Sequence, residues 1–129
     1  KGLEALFAHS ALLSKATKLA LESLGLELLA KEAPSPALTG VMLPDGVPGE
    51  KLVKALRDLA GITFAGGQDK FKGRIIRMAH IGYLSELDTL LGIAALELAL
   101  GRFGMRLEPG KAVGVAERVF LEAGFLKEA

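Results

Sequence analysis

The sequence lacks cysteine and has only two histidines among its 129 residues. Without cysteine, the chain forms no disulfide, no thiolate zinc site and no cysteine nucleophile, and such a composition is compatible with a reducing compartment. His9 and His80 are too few, and too far apart in the sequence, for a histidine-rich metal site. We therefore expect no metal-binding residues in this chain.

Long hydrophobic runs are also missing. The longest strongly apolar segment, Thr89 to Leu100, contains Glu97 and is shorter than the roughly 20 residues that a membrane-spanning helix requires. No pattern of basic, apolar and small residues typical of a signal peptide opens the chain. The sequence therefore predicts a cytoplasmic protein with no membrane partner.

An excess of charge of one sign is absent as well. Lysine and arginine number 16 against 15 acidic residues, so the net charge is +1. This balance produces no field that would attract nucleic acid, and no stripe of basic and aromatic side chains marks a path for a strand. Half of the residues are hydrophobic, which excludes disorder and supplies one domain with one core.

The sequence has no asparagine and no tryptophan, and its single glutamine is Gln68. Side-chain amides hydrolyse at high temperature, so their scarcity fits a thermophilic source, although a GC-rich genome biases composition in a similar way. The chain also begins at Lys1 without a methionine, and a helical pattern has started by Leu3 with no residue suited to capping it. We therefore expect this chain to be a fragment of a longer protein.

The spacing of apolar residues predicts an α+β fold. Helices are expected over residues 3–24, 50–60, 86–102 and 111–122, and strands over residues 26–30, 38–43, 62–65 and 74–81. Ser85 and Asp88 match a capping box at the start of the third helix. This order predicts a small, largely antiparallel sheet of about four strands with helices packed on one face.

The first helix has more apolar surface than a single layer would cover. One stripe contains Leu3, Leu6, Phe7, Leu13, Ala20, Leu21 and Leu24, and an adjoining stripe contains Ala5, Leu12, Ala16 and Leu19. A helix with two apolar faces needs a partner on both sides. The pattern therefore predicts that another part of the protein packs on the second face.

Arg77 lies in the middle of the fourth predicted strand, between apolar neighbours. Its guanidinium cannot be neutralised at ordinary pH, and its planar fork of donors matches a carboxylate. Arg77 therefore either pairs with an internal aspartate or glutamate or binds an acidic ligand. The strand pattern alone favours the internal pair, which is the commoner fate of such residues.

The remaining polar residues show no catalytic arrangement. The loop from Gly66 to Gly73 is rich in glycine and contains Lys70 and Lys72, but it joins two strands and lacks the ending of a phosphate-binding loop. Local sequence places no nucleophile or carboxylate beside either histidine, so packing roles are expected for both. Lysines in polar parts of their patterns are expected to keep ordinary pKa values and to be poor nucleophiles: Lys15, Lys18, Lys31, Lys51 and Lys54.

Three segments carry a resemblance to a known family. They are Gly61-Ile62-Thr63, Ala65-Gly66-Gly67-Gln68, and Lys72-Gly73-Arg74-Ile75-Ile76-Arg77-Met78-Ala79-His80-Ile81-Gly82. Together they resemble the stretch near the C-terminus of class V aminotransferases, pyridoxal-phosphate enzymes of fold type I, in the serine-pyruvate and alanine-glyoxylate branch that includes soluble hydrogenase subunits. The order of the other predicted elements agrees, so the resemblance covers nearly the whole chain but only the last third or so of such an enzyme.

The resemblance implies that Arg77 binds the α-carboxylate of an amino or oxo acid of the serine, alanine, pyruvate or glyoxylate class. It implies that residues 1–129 are the small domain of an aminotransferase that is a homodimer when intact. The family's cofactor-binding lysine and its other cofactor contacts lie in a large domain that would precede Lys1. The chain alone is therefore expected to bind no pyridoxal phosphate and to be inactive; the alternative is a free-standing α+β module that binds a ligand or a partner.

Overall fold

A computed structural model of the chain describes residues 2–29, 38–60, 64–67, 72–79 and 85–127. Its elements are α1 (Leu3–Ser23), β1 (Glu27–Leu28), β2 (Leu38–Met42), α2 (Gly49–Ala60), β3 (Ala65–Gly66), β4 (Ile75–Ala79), α3 (Glu86–Arg102) and α4 (Lys111–Glu122). This order confirms the predicted α+β architecture.

The four strands form one antiparallel sheet in the order β1-β2-β4-β3. Positions 30, 62–63 and 80–81 of the predicted strands lie outside the described residues. Within the described residues the assigned strands are short, but backbone pairing continues past two of the assigned ends. Leu29 donates to the carbonyl of Gly40 at 2.9 Å, and Leu43 donates to the carbonyl of Arg74 at 2.7 Å. The predicted hairpin pairing of the last two strands is confirmed, since β3 and β4 are neighbours.

The helices cover one face of this sheet, as predicted. Val41 of β2 lies opposite Ile76 of β4, and both are buried in a core cluster that also contains α2 and α3 residues. A Cβ added at Gly92 of α3 would stand 2.9 Å from Cε of Met78, two residues further along β4 on the same face. The opposite face carries the side chains of Met42, Ile75 and Arg77.

Within the described residues, the last helix packs mainly on other helices. α4 contacts α1 most extensively and also contacts α3. Fully buried alanines on α1 and α4 include Ala16, Ala20, Ala112 and Ala116. Because alanine side chains are small, they allow the two backbones to approach closely. Part of the second apolar stripe of α1 is therefore covered within this chain.

A buried carboxylate joins α3 to the start of α4. Glu97 accepts hydrogen bonds from the backbone N–H of Gly110 at 3.2 Å and of Ala112 at 2.8 Å. α4 has no side-chain cap from its own preceding residue, because Gly110 occupies that position with a φ of +90°. Glu97 thus supplies the N-terminal cap from another helix.

The predicted capping box of α3 is present. Asp88 N–H donates to Oγ of Ser85 at 3.1 Å, and Ser85 N–H donates to the Asp88 carboxylate at 2.9 Å. Gly25 follows α1 with a φ of +84°, a conformation that glycine adopts readily and that ends the helix. Within the described ranges, no helix combines the length and the hydropathy needed to cross a bilayer.

Candidate functional site

Arg77 lies in β4 between two small residues on the neighbouring strands. In the antiparallel pairing of the strands, Arg77 lies opposite Gly40 of β2 on one side and opposite Ala65 of β3 on the other. A Cβ at position 40 would stand 3.5 Å from Cγ of Arg77 and 2.7 Å from Cδ1 of Leu29. Gly40 therefore provides space that both side chains use. Sequence reasoning missed this role, although a glycine inside a predicted strand often signals such a close approach.

The Arg77 guanidinium is held by a backbone carbonyl. Its Nε and Nη2 donate to the oxygen of Gly66 at 3.2 Å and 2.7 Å. This contact uses one edge of the guanidinium, and Nη1 has no hydrogen-bond partner among the described residues. The edge formed by Nη1 and Nη2 therefore remains available for a bidentate contact with a carboxylate.

A carboxylate partner for Arg77 is not found within the described part of the chain. The ion pairs there join His9 to Glu86, Arg57 to Asp58, and Lys72 to Glu50. Asp69, the acidic residue nearest to Arg77 in the loop that precedes it, lies outside the described residues. The internal pair favoured by the strand pattern thus has no counterpart among the described residues, and the described partner of Arg77, the Gly66 carbonyl, is neutral.

Arg77 lines a pocket of about 450 Å³ between α2 and the β3–β4 hairpin. The α2 residues that line it recur at helical spacing and so share one face: Glu50, Val53, Lys54 and Arg57. On the opposite face of α2, Leu52 and Leu56 are buried in the core, while Val53 lines the pocket and is only partly buried. Core packing of α2 therefore turns its basic residues toward the same space as Arg77.

Glycines bring the backbone close to this pocket. Gly49 N–H donates to the carbonyl of Gly73 at 3.0 Å, and a Cβ at position 49 would stand 2.7 Å from that oxygen. Gly73 adopts a φ of +75°, which agrees with the predicted role of a hairpin glycine. This contact fixes the start of α2 against the hairpin, and Gly66 and Gly67 complete the lining.

The charge of the pocket is mainly positive. Its lining includes three basic residues, Lys54, Arg57 and Arg77, and one acidic residue, Glu50. Glu50 already lies 3.6 Å from Nζ of Lys72, so its charge is partly matched from outside the pocket. The arrangement suits an anionic ligand.

Of the other residues singled out by sequence, Lys54 lines this pocket, whereas His9 and Lys18 do not. Nε2 of His9 lies 3.3 Å from Oε1 of Glu86, a packing contact between α1 and α3. His80 and Lys31 lie outside the described residues. For Lys18 of α1 the expected ordinary pKa is wrong, because partial burial lowers the pKa of its ammonium group. Lys18 does not line the Arg77 pocket.

The pocket residues do not fit pyridoxal phosphate. Among the described residues, no buried lysine and no aromatic ring line the pocket, so these residues offer neither an aldimine partner nor a stacking surface. The one lining carboxylate, Glu50, is exposed and lies beside Lys72. The described residues of this chain therefore supply an anion-binding surface and not a cofactor site.

No family model matches the chain. Its sequence relatives include the small subunit of soluble hydrogenase from Synechococcus sp. (strain PCC 6716), 38% identical over 125 residues, which are 95% of this chain and 32% of the relative. They also include a serine–glyoxylate aminotransferase from Methylorubrum extorquens, 32% identical over 95% of this chain and 31% of the relative.

Solved structures give the same result. Ureidoglycine–glyoxylate aminotransferase from Bacillus subtilis superposes with a TM-score of 0.88 and 30% identity, covering 93% of this chain and 32% of that structure. Pyridoxamine–pyruvate aminotransferase from Mesorhizobium loti also gives 0.88, with 29% identity, 95% of this chain and 32% of that structure. The chain spans about a third of the length of the relatives that it matches. It is therefore homologous to the C-terminal segment of class V, pyridoxal-phosphate-dependent aminotransferases.

Proposed function

We propose that this chain is the C-terminal small domain of a pyridoxal-phosphate-dependent aminotransferase and that Arg77 binds the α-carboxylate of its amino or oxo acid substrate. The observation that carries the proposal is how the guanidinium of Arg77 is hydrogen-bonded. One edge is anchored to the Gly66 carbonyl, and the Nη1–Nη2 edge has no acidic partner among the described residues. An anchored fork next to a basic pocket is prepared to bind a carboxylate.

The share of this chain in the reaction is to bind and orient the substrate. Gly66 limits rotation of the guanidinium, and the small neighbours Gly40 and Ala65 leave room beside it. Two parallel N–H donors then fix both the position and the plane of a carboxylate. The cofactor, held by the remainder of the protein, supplies the stabilisation of the substrate carbanion.

The exposed end of α1 supports the presence of a further domain. Leu3, Leu6 and Phe7 are exposed by 65%, 51% and 65%. Three large apolar side chains on two successive turns form a surface of the kind that domains bury against each other. The large domain of the proposed enzyme would cover this surface, and the intact protein would be a cytoplasmic homodimer acting on serine, alanine, pyruvate or glyoxylate.

Expression of the complete reading frame that contains this chain tests the proposal. The product should bind pyridoxal phosphate and transfer amino groups from serine or alanine to glyoxylate or pyruvate. A start codon directly before Lys1, or a longer product with no amino-transfer activity, would overturn it. The first of these outcomes would favour a free-standing module that binds an acidic ligand through Arg77.

A further inference from the structure

Lys54 lines the same pocket as Arg77 but has no role in the binding of the α-carboxylate. It lies on the pocket face of α2, between Glu50 and Arg57. Arg57 donates from Nε to the carboxylate of Asp58 at 3.1 Å, and Glu50 lies beside Lys72. Lys54 forms no ion pair with a described residue, although Glu50 and Asp58 lie one helical turn before and after it on α2.

Two cations of the pocket, Lys54 and Arg77, form no ion pair with a described residue, and they come from different elements. Lys54 is carried by α2, while Arg77 is carried by β4 and is anchored to β3. Their chemistry also differs, because the Arg77 fork fixes the plane of a carboxylate whereas the ammonium of Lys54 is a point charge on a flexible stem. A ligand with two separate acidic groups would match one group to each cation.

We propose that Lys54 binds a second acidic group of the ligand, so that this pocket selects dicarboxylic over monocarboxylic acids. The assignment of this ligand as a substrate rests on the proposed function, in which Arg77 takes the α-carboxylate. Amino transfer uses two substrates in turn at one site, so a dicarboxylic amino or oxo acid can serve as one of them while a small acid serves as the other.

Because Lys54 is exposed to solvent, the expected preference for a dicarboxylic ligand is small and depends on salt. An ion pair at an exposed ammonium is worth little, which corresponds to about a three- to fivefold preference for the dicarboxylic ligand. Salt weakens such a contact, so the preference should shrink as ionic strength rises. The contact of Arg77 with the first carboxylate should persist at higher salt because it is bidentate and partly buried.

Binding to the 129-residue chain, followed by NMR chemical shifts of α2 and β4 amides, tests the inference without any enzymatic assay. The probes are succinate, propionate and inorganic phosphate. We expect succinate to bind about three- to fivefold more tightly than propionate, and Lys54→Met to remove that difference by weakening succinate binding more than propionate binding. Lys51→Met is the matched control, since Lys51 is exposed on the same helix but does not line the pocket.

Three results would overturn the inference: equal affinities for succinate and propionate, equal effects of Lys54→Met and Lys51→Met, or tighter binding of phosphate than of succinate. The last result would mark a site for one compact anion.

A kinetic arm separates this inference from the proposed function. In the complete enzyme, Lys54→Met should lower kcat/KM for aspartate or glutamate about three- to fivefold more than it lowers kcat/KM for alanine or serine. If amino transfer is present but Lys54→Met affects both classes equally or neither, this inference alone fails. If the protein transfers no amino groups, the proposed function fails, and the succinate titration still decides the role of Lys54.

Discussion

Arg77 lies directly opposite Gly40 across the β2–β4 pair, where a Cβ on residue 40 would stand 3.5 Å from Cγ of Arg77. The same Cβ would stand 2.7 Å from Cδ1 of Leu29, closer than real contacts allow. An alanine Cβ at position 40 would therefore only touch Arg77, whereas a larger side chain would reach further toward it, and in this sense Gly40 is a positioning residue.

Substitutions of Gly40 should show a graded effect on carboxylate binding. Gly40→Ala should be tolerated, because Leu29 can move the end of its flexible side chain. Gly40→Val should displace Arg77 as well, weaken propionate binding severalfold, and lower the free energy of unfolding by about 1–3 kcal/mol. NMR titration and urea unfolding measure the two effects. Gly101→Ala, at an open position of α3, is the control, and wild-type affinity in Gly40→Val would contradict the positioning role.

Loss of the Glu97 carboxylate should destabilise the packing of α4. Glu97→Ala leaves the N–H groups of Gly110 and Ala112 without their acceptor, which should cost about 2–3 kcal/mol of unfolding free energy. Glu97→Gln should cost less, because one amide oxygen remains. Urea unfolding measures both, with the exposed Glu117→Ala on α4 as control. Equal stability of the Glu97→Ala and Glu117→Ala variants would show that the cap contributes nothing.

Pyridoxal phosphate added to the 129-residue chain should give no stoichiometric aldimine absorption band, because no buried lysine lines the described pocket. Scattered surface aldimines form on many proteins, so the stoichiometry has to be measured. Burial lowers the pKa of Lys18 and leaves more of its amine unprotonated, so Lys18→Arg is the variant to compare first. A one-to-one band that a single lysine substitution abolishes would contradict the assignment of the cofactor site to another domain.

The exposed apolar side chains at the start of α1 should make the isolated chain prone to self-association. We expect self-association at high concentration and binding of a hydrophobic dye, both reduced in a Leu6→Gln/Phe7→Gln variant. This variant should keep its unfolding free energy, because both side chains are already exposed. Leu13→Gln is the contrasting control, since Leu13 is buried and its replacement should destabilise the fold. A strictly monomeric wild-type chain that binds no dye would count against a covered surface at this end.

Local patterns were sufficient for the elements and for Arg77. The apolar spacing of α2 places Leu52 and Leu56 in the core, and a capping box needs only residues three apart, such as Ser85 and Asp88. Arg77 stands out because a charge inside an apolar strand requires an explanation.

The remaining features depend on tertiary placement, which short-range patterns do not contain. Glu97 caps a helix that begins 14 residues later in the sequence. The pKa of Lys18 is lowered because neighbouring residues partly bury its side chain. Lys54 lines the pocket only because α2 packs beside the hairpin. The strand pattern also favoured an internal acid for Arg77, whereas the described partner is the carbonyl of Gly66. A backbone acceptor carries no sequence signal.

The measurement that tests the central claim most directly is the kinetics of Arg77→Lys in the complete enzyme. Lysine keeps the charge but loses the two parallel N–H donors, so kcat/KM for the amino acid should fall by about ten- to a hundredfold. The absorption spectrum of the bound cofactor should be unchanged, because Arg77 is proposed to contact the substrate and not the cofactor. Normal kcat/KM in this variant, or loss of the cofactor, would contradict the assignment of Arg77 to the substrate carboxylate.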